Sequence, residues 1–355
     1  MRVFIEADAP RVNCREHGPT VAQIPWARHG AGHTRSFDDT VAWLAVHASK
    51  SAVTELTRIA WRTVGSILTR VQTDIDASVD RFAGLARIGI DEISYKRHHK
   101  FLTVVVDHDT GRLVWAAPGR DDKTLHRFFD LLGETRCGAI THVSADAAEW
   151  IKRVVSARCP NAIRCADPFH VVRWATDALD NVRRQAWNEA RGGRPHHANQ
   201  QRRLTYPKKA HSLKRVRFAL LKNPENLTDD QRASLDWIAK TDPRMHRAYL
   251  LKEGLRLVFA LDNTDDAKHA LDQWIQWARR SRLPAFVAAQ RRVVANRAEI
   301  DATLEHRLSN ALVESTNTKI RLFTRIAFGF RSPDALIALA LLALGGNSPA
   351  LPGRK

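Results

Sequence analysis

Residues 86–120 read ARIGIDEISYKRHHKFLTVVVDHDTGRLVWAAPGR, and the reading of this stretch decides the fold class. Three short runs, ARIGIDEIS, KFLTVVVDH and RLVWAAPG, are separated by a basic link (Tyr95 to Lys100) and by Asp107-His108-Asp109-Thr110-Gly111. Runs of this length, bounded by turn-forming Asp and Gly, predict three strands in a meander. Asp91 ends the apolar run Ile88-Gly89-Ile90, so it belongs to a first strand that should be central and buried. An ionised carboxylate on such a strand is costly unless it is paired or binds a metal. Glu92 should point to the opposite face. Asp107 and Asp109 are explained by their turn.

Downstream, the texture alternates. A helix is expected over Thr124–Leu132, then strand THVSAD (141–146), helix AEWIKRVVSAR (148–158), strand NAIRCAD (161–167) and a long helix from about Phe169. A meander followed by alternating β and α units is the order of a ribonuclease-H-like α/β fold, an order shared with other mixed sheets. Residues 174–305 show almost no strand pattern and read as a helical insertion. Within it, LDQWIQWARR sets Leu271, Trp274, Ile275 and Ala278 on one helical face. Asn310 to Arg325 is expected as one helix and Pro333–Leu344 as a last, apolar one.

Upstream, residues 1–45 read as a small strand-and-loop module, with RVFIEA as a strand and Cys14, His17, Gly18 and Pro19 in turn-rich sequence. Two short helices follow, SAVTELTRI and WRTVGSILTRV, each with an apolar stripe: Val53 with Leu56, then Val64 with Ile67 and Leu68. The expected division is 1–45, a partial zinc-binding-like module; 46–80, a helix-turn-helix; 81–173 with 306–345, a catalytic α/β core; and 174–305, the insertion.

Composition narrows the function. Among 355 residues, 56 Lys and Arg stand against 38 Asp and Glu, a formal charge of +18, with a pI near 10.4. A field of that sign attracts polyanions, nucleic acid foremost, with a ribosomal or membrane-surface role as the alternative. Four cysteines, Cys14, Cys137, Cys159 and Cys165, form no Cys-x-x-Cys pair, so reduced thiols are expected, the last three as small buried hydrophobes. The longest apolar run, Ala335 to Leu344, falls short of the roughly 20 residues a bilayer span needs. No apolar signal core opens the chain. A cytoplasmic protein, with access to the nucleoid if its partner is DNA, and no membrane partner, is the expectation.

Three acids could share one site. Asp91 and Asp146 each end an apolar strand, and Glu314 lies on the helix that begins near Ser309-Asn310. Side by side, two such strand ends would bring their carboxylates to one sheet edge. Glu314, Asn317 and Arg321 recur at i, i+3 and i+7, presenting acid, amide and guanidinium along one helix. Hard oxygen donors suit Mg²⁺ or Mn²⁺. Two such ions can serve an in-line phosphoryl displacement.

The runs GIDEISYKRHHKFLTVVVD, VSADAAEWIKRVV, ADPFHVVRWATDALDNVRR and LSNALVESTNTKIRLFTRIAFGF closely resemble the ISL-three family of bacterial insertion-sequence transposases, and LLKNPENLT and SPDALIALALLALGG extend the resemblance over nearly the whole chain. It implies a ribonuclease-H-like core of the DDE superfamily interrupted by a helical insertion. It implies cut-and-paste chemistry: two-metal-ion cleavage at the element's terminal inverted repeats, then attack of the freed 3′-hydroxyl on target DNA. The resemblance carries the first acid onto Asp91 in GIDE and the last onto Glu314 in LVESTN. For the second, Asp146 is preferred on strand order and Asp167 is the alternative. In related transposases an Asp-x-x-His or Cys-x-x-His element follows the second acid, as Asp167-Pro168-Phe169-His170 does here. His170 and Asn317 are then expected to support the acids or touch DNA.

For DNA contacts, the second helix of the 51–71 pair would offer Trp61, Arg62, Thr63 and Ser66 to a major groove, with Arg58 and Arg70 on phosphates. An ordinary helical hairpin is the alternative. Lys96, Arg97 and Lys100, flanking His98-His99, are candidate phosphate contacts, as are Lys319, Arg321 and Arg325 beside Glu314. Lys208, Lys209, Lys214, Arg215 and Arg217 of the insertion form a further basic surface. Cys14-x-x-His17 is half of a zinc-ligand spacing. A structural zinc wants four ligands, and the Cys-x-x-Cys pair of relatives does not precede it here. The two residues are therefore read as a remnant, the reading frame as if started late, and recognition of the ends as weakened. Pairing two DNA ends implies a homodimer or larger assembly on DNA. The remaining rivals are a DNA-binding relative without catalysis and a ribonuclease-H-like nuclease without strand transfer.

Overall fold

The computed structural model describes residues 11–21, 24–96, 100–192, 213, 216–327 and 329–353. The chain divides into two compact units, Met1–Ile140 with Ala311–Lys355, and Thr141–Asn310. Both mix helix and strand.

In the first unit, β1 (Arg11–Cys14) and β2 (Gly18–Val21) form a hairpin. Three helices follow, α1 (Arg35–His47), α2 (Lys50–Thr57) and α3 (Trp61–Ser78). The meander comes next: β3 (Arg87–Lys96), β4 (Lys100–Asp107) and β5 (Leu113–Pro118), antiparallel, with Asp91 opposite Val104 and Val104 opposite Ala116. Asp107 closes the β4–β5 turn by accepting the Asp109 N–H at 2.9 Å, and Gly111 supplies the positive φ of +73° there. After α4 (Asp122–Leu132) and α5 (Glu134–Ala139) the chain leaves the unit. It returns with α14 (Ala311–Ile326) and α15 (Pro333–Leu344). One apolar cluster runs through Val41, Val64, Leu68, Ile93, Val104, Val313 and Leu339. The N-terminal helices therefore share their core with the meander and with the two last helices.

Three expectations change here. Residues 35–47 are helical, where a strand-and-loop module was expected. Thr34 caps that helix by accepting the Phe37 N–H at 3.2 Å, and Val41, Ala42 and Ala45 fill its inner face. The expected stripe of α2 holds at Val53, which is buried, and fails at Leu56, which is 68% exposed. The strand expected over 141–146 spans only His142–Ala145, and the stretch before it holds a short helix, Glu134–Ala139, that was not expected. The strand-like run RVFIEA, Arg97, His98-His99, Lys208, Lys209, Lys214 and Arg215 lie outside the described residues.

In the second unit, β6 (His142–Ala145) and β7 (Ile163–Ala166) pair in parallel, joined by α6 (Glu149–Arg158). Pro168 opens the long α7 (Pro168–Gly192), a position where its missing N–H costs nothing. Then come α8 (Arg217–Leu221), a short 3₁₀ turn, α9 (Asp229–Thr241), α10 (Pro243–Val258), α11 (Thr264–Arg280), α12 (Pro284–Ala295) and α13 (Arg297–His306). The expected face of α11 is present: Leu271, Trp274 and Ala278 are buried and Ile275 packs against the same cluster. The Trp274 indole N–H donates to the Leu251 carbonyl at 2.7 Å, which lets a large aromatic be buried without stranding its polar atom. Among the described residues, no helix is long and apolar enough to cross a membrane.

Candidate functional site

Asp91 owes its surroundings to a glycine two residues earlier. Gly89 and Asp91 share one face of β3, and that face is covered by α14. A Cβ on Gly89 would press into Val313 Cγ2 and lie 2.7 Å from His108 Nε2. The absent side chain is what lets the helix approach. One helical turn after Val313, the buried Asn317 reaches the strand and donates its Nδ2 to Asp91 Oδ2 at 2.7 Å. The other oxygen, Oδ1, accepts the Glu92 backbone N–H at 2.7 Å. Glu92 pairs with Arg120 at 2.7 Å. Glu314, one turn before Asn317 on the same helix, is exposed. The expected single face of Glu314, Asn317 and Arg321 is thus divided. Asn317 turns inward with Val313, Thr316 and Ile320, while Glu314 and Arg321 stay outside with Lys319 and Arg325.

In the second unit, Asp146 and Asp167 follow the two parallel strands. Their side chains differ sharply in exposure, 34% for Asp146 and 3% for Asp167. The His170 imidazole bridges them, with Nδ1 3.4 Å from Asp146 Oδ1 and 3.2 Å from Asp167 Oδ2. Asp167 Oδ1 also accepts the Asn310 backbone N–H at 3.4 Å, and the Asn310 side chain is hydrogen-bonded to the Ser144 hydroxyl. Through that side-chain contact Asn310 ties the residue just before α14 to β6. Nearby, Glu299 holds Lys152 at 2.9 Å and Arg164 at 2.6 Å, and this pairing keeps its carboxyl below the usual range against the opposing effect of burial. Burial pushes the Cys165 thiol up to about 11, in keeping with a small inert hydrophobe. Cys137 and Cys159 are buried likewise.

The helix pair α2–α3 turns at Arg58, whose backbone is left-handed (φ +56°). Along α3, Arg62, Ser66 and Thr69 are exposed, while Trp61 and Thr63 are half-buried. Arg70 is occupied: its guanidinium lies 3.3 Å from the fully buried Asp38 of α1. Burial raises the Asp38 carboxyl pKa, and Arg70 and Arg28 pull it the other way. Arg28 binds Asp39 and Asp74 as well, each at 2.7 Å. Lys96 and Lys100 flank the β3–β4 connection and are exposed. On the first hairpin, Cys14 Sγ lies 3.4 Å from His17 Nδ1, and backbone N–H groups of Glu16 and His17 lower the thiol's pKa.

Sequence reasoning missed Gly89, Ser144 and the inward role of Asn317. Asn317 stands at an apolar position of the α14 repeat, a signal that was available. Ser144 and Asn310 are 166 residues apart and carried none. Within each unit, among the described residues, no group of three or more His, Cys, Asp or Glu side chains stands arranged to hold a metal ion.

Comparison with known proteins completes the assignment. A DDE-type family model described as a transposase matches residues 88–340, and the model of the helix-turn-helix domain of transposase family ISL3 matches residues 22–72. The second match begins ahead of α1, so it takes in the helix that the sequence reading had left out. The transposase for insertion sequence element IS1557 of Mycobacterium tuberculosis is 63% identical over 362 aligned residues, covering 100% of this chain and 81% of the relative. The transposase for insertion sequence element IS1001 of Bordetella parapertussis is 25% identical over 349 residues, covering 98% of this chain and 82% of the relative. The chain belongs to the ISL3 family of insertion-sequence transposases and is a DNA transposase of the DDE type.

Proposed function

We propose that Asp91, Asp146 and Glu314 are the three catalytic acids of this transposase, in a ribonuclease-H-like core that cleaves the ends of its element and joins them to target DNA. The observation that carries the reading is the clasp between Asp91 and Asn317, with Glu314 one turn earlier on the helix that makes it. A strand acid and a helix acid are thereby held by a single strand–helix contact within one unit. For the second acid, the exposure of Asp146 supports it over the sealed Asp167, which is engaged by His170 and the Asn310 N–H.

Transposases of this type use divalent metal ions. The donor set fits Mg²⁺ or Mn²⁺: three carboxylates are hard oxygen donors, and beside Asp91 the buried Asn317 Oδ1 is an acceptor without a hydrogen-bond partner. Asp91, Asp146 and Glu314 would hold two ions. Such ions supply Lewis acidity and charge neutralisation at the scissile phosphate. The chain's own residues position. Asn317 fixes the Asp91 carboxylate, His170 restrains Asp146, and the exposed Lys319, Arg321 and Arg325 offer cations to DNA phosphates beside Glu314.

Arg62 and Ser66 of α3 are assigned to the major groove, with Trp61 and Thr63 at its edge and Arg58 on the backbone. Arg70 serves Asp38 and holds α1 on α3, so its share in DNA contact is indirect. Lys96, Arg97 and Lys100 are assigned to phosphates. Two ends must be paired for transposition, and a homodimer on DNA in the bacterial nucleoid follows from that requirement.

The test is a strand-transfer assay on duplexes carrying the element's terminal repeats, with Mg²⁺, comparing wild type with Asp91→Asn, Asp146→Asn, Asp167→Asn and Glu314→Gln. Joined products should appear with wild type and Asp167→Asn only. Full activity of Asp91→Asn would sink the metal-site reading, and hydrolysis without joining would assign the chain to the nucleases.

A further inference from the structure

The most unusual cation of the first unit is Lys50. It is the first residue of α2, a place where a lysine normally reaches solvent, yet it is only 8% exposed. Its ammonium lies over the Trp61 ring at 4.4 Å and the Phe330 ring at 4.8 Å. These aromatic faces are its partners; among the described residues no carboxylate lies within ion-pair distance of it. Burial lowers its pKa, with no opposing acid to raise it. A buried ammonium held by ring faces alone recovers only part of its lost hydration.

That ammonium borders a cavity of about 1160 Å³, somewhat above the usual range for small-molecule pockets. The start of α3 lines the same space, and Ala60 gives that helix no side-chain cap. The N-terminus of an 18-residue helix therefore presents first-turn N–H groups and the positive end of its dipole to the cavity. Arg62 and Arg331, both exposed, stand at the rim. The acids that line the cavity are already used: Asp74 pairs with Arg28 and Arg35, and Asp334 accepts from Ser332 at the start of α15. Five Arg and Lys side chains and two Asp line the cavity among the described residues, so its lining carries a net positive charge.

We propose that this cavity is a phosphate site in which Lys50 and the uncapped start of α3 grip one phosphodiester of the DNA backbone, docking the helix-turn-helix independently of base sequence. The proposal rests on the helix-turn-helix reading and adds to it a buried contact that fixes register from below, while Arg62 and Ser66 face the bases. A phosphate oxygen placed there would meet the ammonium and backbone N–H donors in charge-assisted hydrogen bonds, which are shorter and stronger than neutral ones.

The experiment uses the full chain and a short duplex of arbitrary sequence, with binding followed by fluorescence anisotropy over a series of salt concentrations. Lys50→Met and Lys50→Gln should weaken binding about tenfold or more, the scale of a hydrogen bond to a charged group. The slope of log affinity against log salt should become shallower by about 0.9, one phosphate's worth. Melting temperature should hold or rise, because a desolvated charge has been removed; a lysine retained only for its aromatic contacts would lose stability instead. Unchanged affinity and slope in both variants overturn the proposal. If Arg62→Ala weakens binding while the Lys50 variants do not, the phosphate site fails and the helix-turn-helix reading stands. If neither has an effect, both fail. Inorganic phosphate separates the remaining case: stabilisation of wild type but not of Lys50→Met, with DNA affinity untouched, would make this a free-anion site and overturn the DNA assignment.

Discussion

Acids stand at two places in this molecule and are built in opposite ways: Asp91 lies inside β3, and not at its end as the apolar run predicts, while Asp146 and Asp167 follow the ends of β6 and β7. At β3, Asp91 is half-buried and held by a neutral amide from α14 and by the next backbone N–H. After β6 and β7, the acids come as a pair with an imidazole between them, one open and one sealed. Amide donors orient a carboxylate without bringing a charge of their own. Asp167 accepts the Asn310 N–H with one oxygen and sets the other 3.2 Å from His170 Nδ1 without a hydrogen bond between them, and what it organises is the chain around it. The difference separates an acid that is positioned from an acid that positions.

The sharpest way to break that contrast is Asp91→Asn. The amide is nearly isosteric, so melting should be unchanged while strand transfer falls by at least on the order of 10²–10³, the scale for deleting one electrostatic contact to a reacting centre. Activity near wild type would make Asp91 a structural residue like Asp167. The paired strand end should split its two functions between two variants. Asp146→Asn should lose joining with melting intact. Asp167→Ala should melt several degrees lower, because a buried acceptor of a backbone N–H is worth about 1.5–3 kcal/mol when charged. The reverse pattern, read by the same assay and by thermal denaturation, would move the second acid to Asp167.

How much of this was legible follows from where each signal is stored. The meander, the β–α alternation and the helix Pro333–Leu344 announce themselves by local periodicity, and all are found as expected. Asp91 was found because it interrupts an apolar run. The first helix was hidden: Arg35-Ser36-Phe37-Asp38-Asp39-Thr40 is polar at its start, and its buried Asp38 is neutralised by Arg28 and Arg70, the latter 32 residues away. Leu56 was misplaced since a short helix has few turns over which to fix its inner face. Lys50 gives no sign in sequence, as its burial comes from Trp61 in the next helix and from Phe330 near the other end of the chain. Local pattern found the elements; the partners of buried charges were written too far apart to be read.

Asn317 makes the comparison quantitative at a smaller scale. If it only orients Asp91, Asn317→Ala should reduce strand transfer about 10–100-fold, the usual cost of losing an outer contact to a ligating residue. The loss should fall mainly on turnover and on the Mg²⁺ concentration needed for half-maximal rate, with DNA affinity unchanged. A loss confined to DNA binding would instead place Asn317 among the DNA contacts.

The smallest expected effect tests the origin of the clasp. Gly89→Ala adds one methyl group on the face where α14 crosses β3, against Val313 and the His108 ring. Its backbone is not among those with positive φ, so the cost is steric alone. Overpacking of this kind costs about 1–3 kcal/mol, and denaturant unfolding should report it. The informative part is the direction of relief. Pushing α14 outward lengthens the Asn317–Asp91 bond, so activity should fall together with stability. Val313→Ala in the same chain opens the space that the new methyl group needs and should restore both stability and activity toward wild type. If Val313→Ala restores stability but not activity, the helix position is not what orients Asp91, and the strand–helix account of this acid must give way to one in which Asn317 acts on the substrate directly.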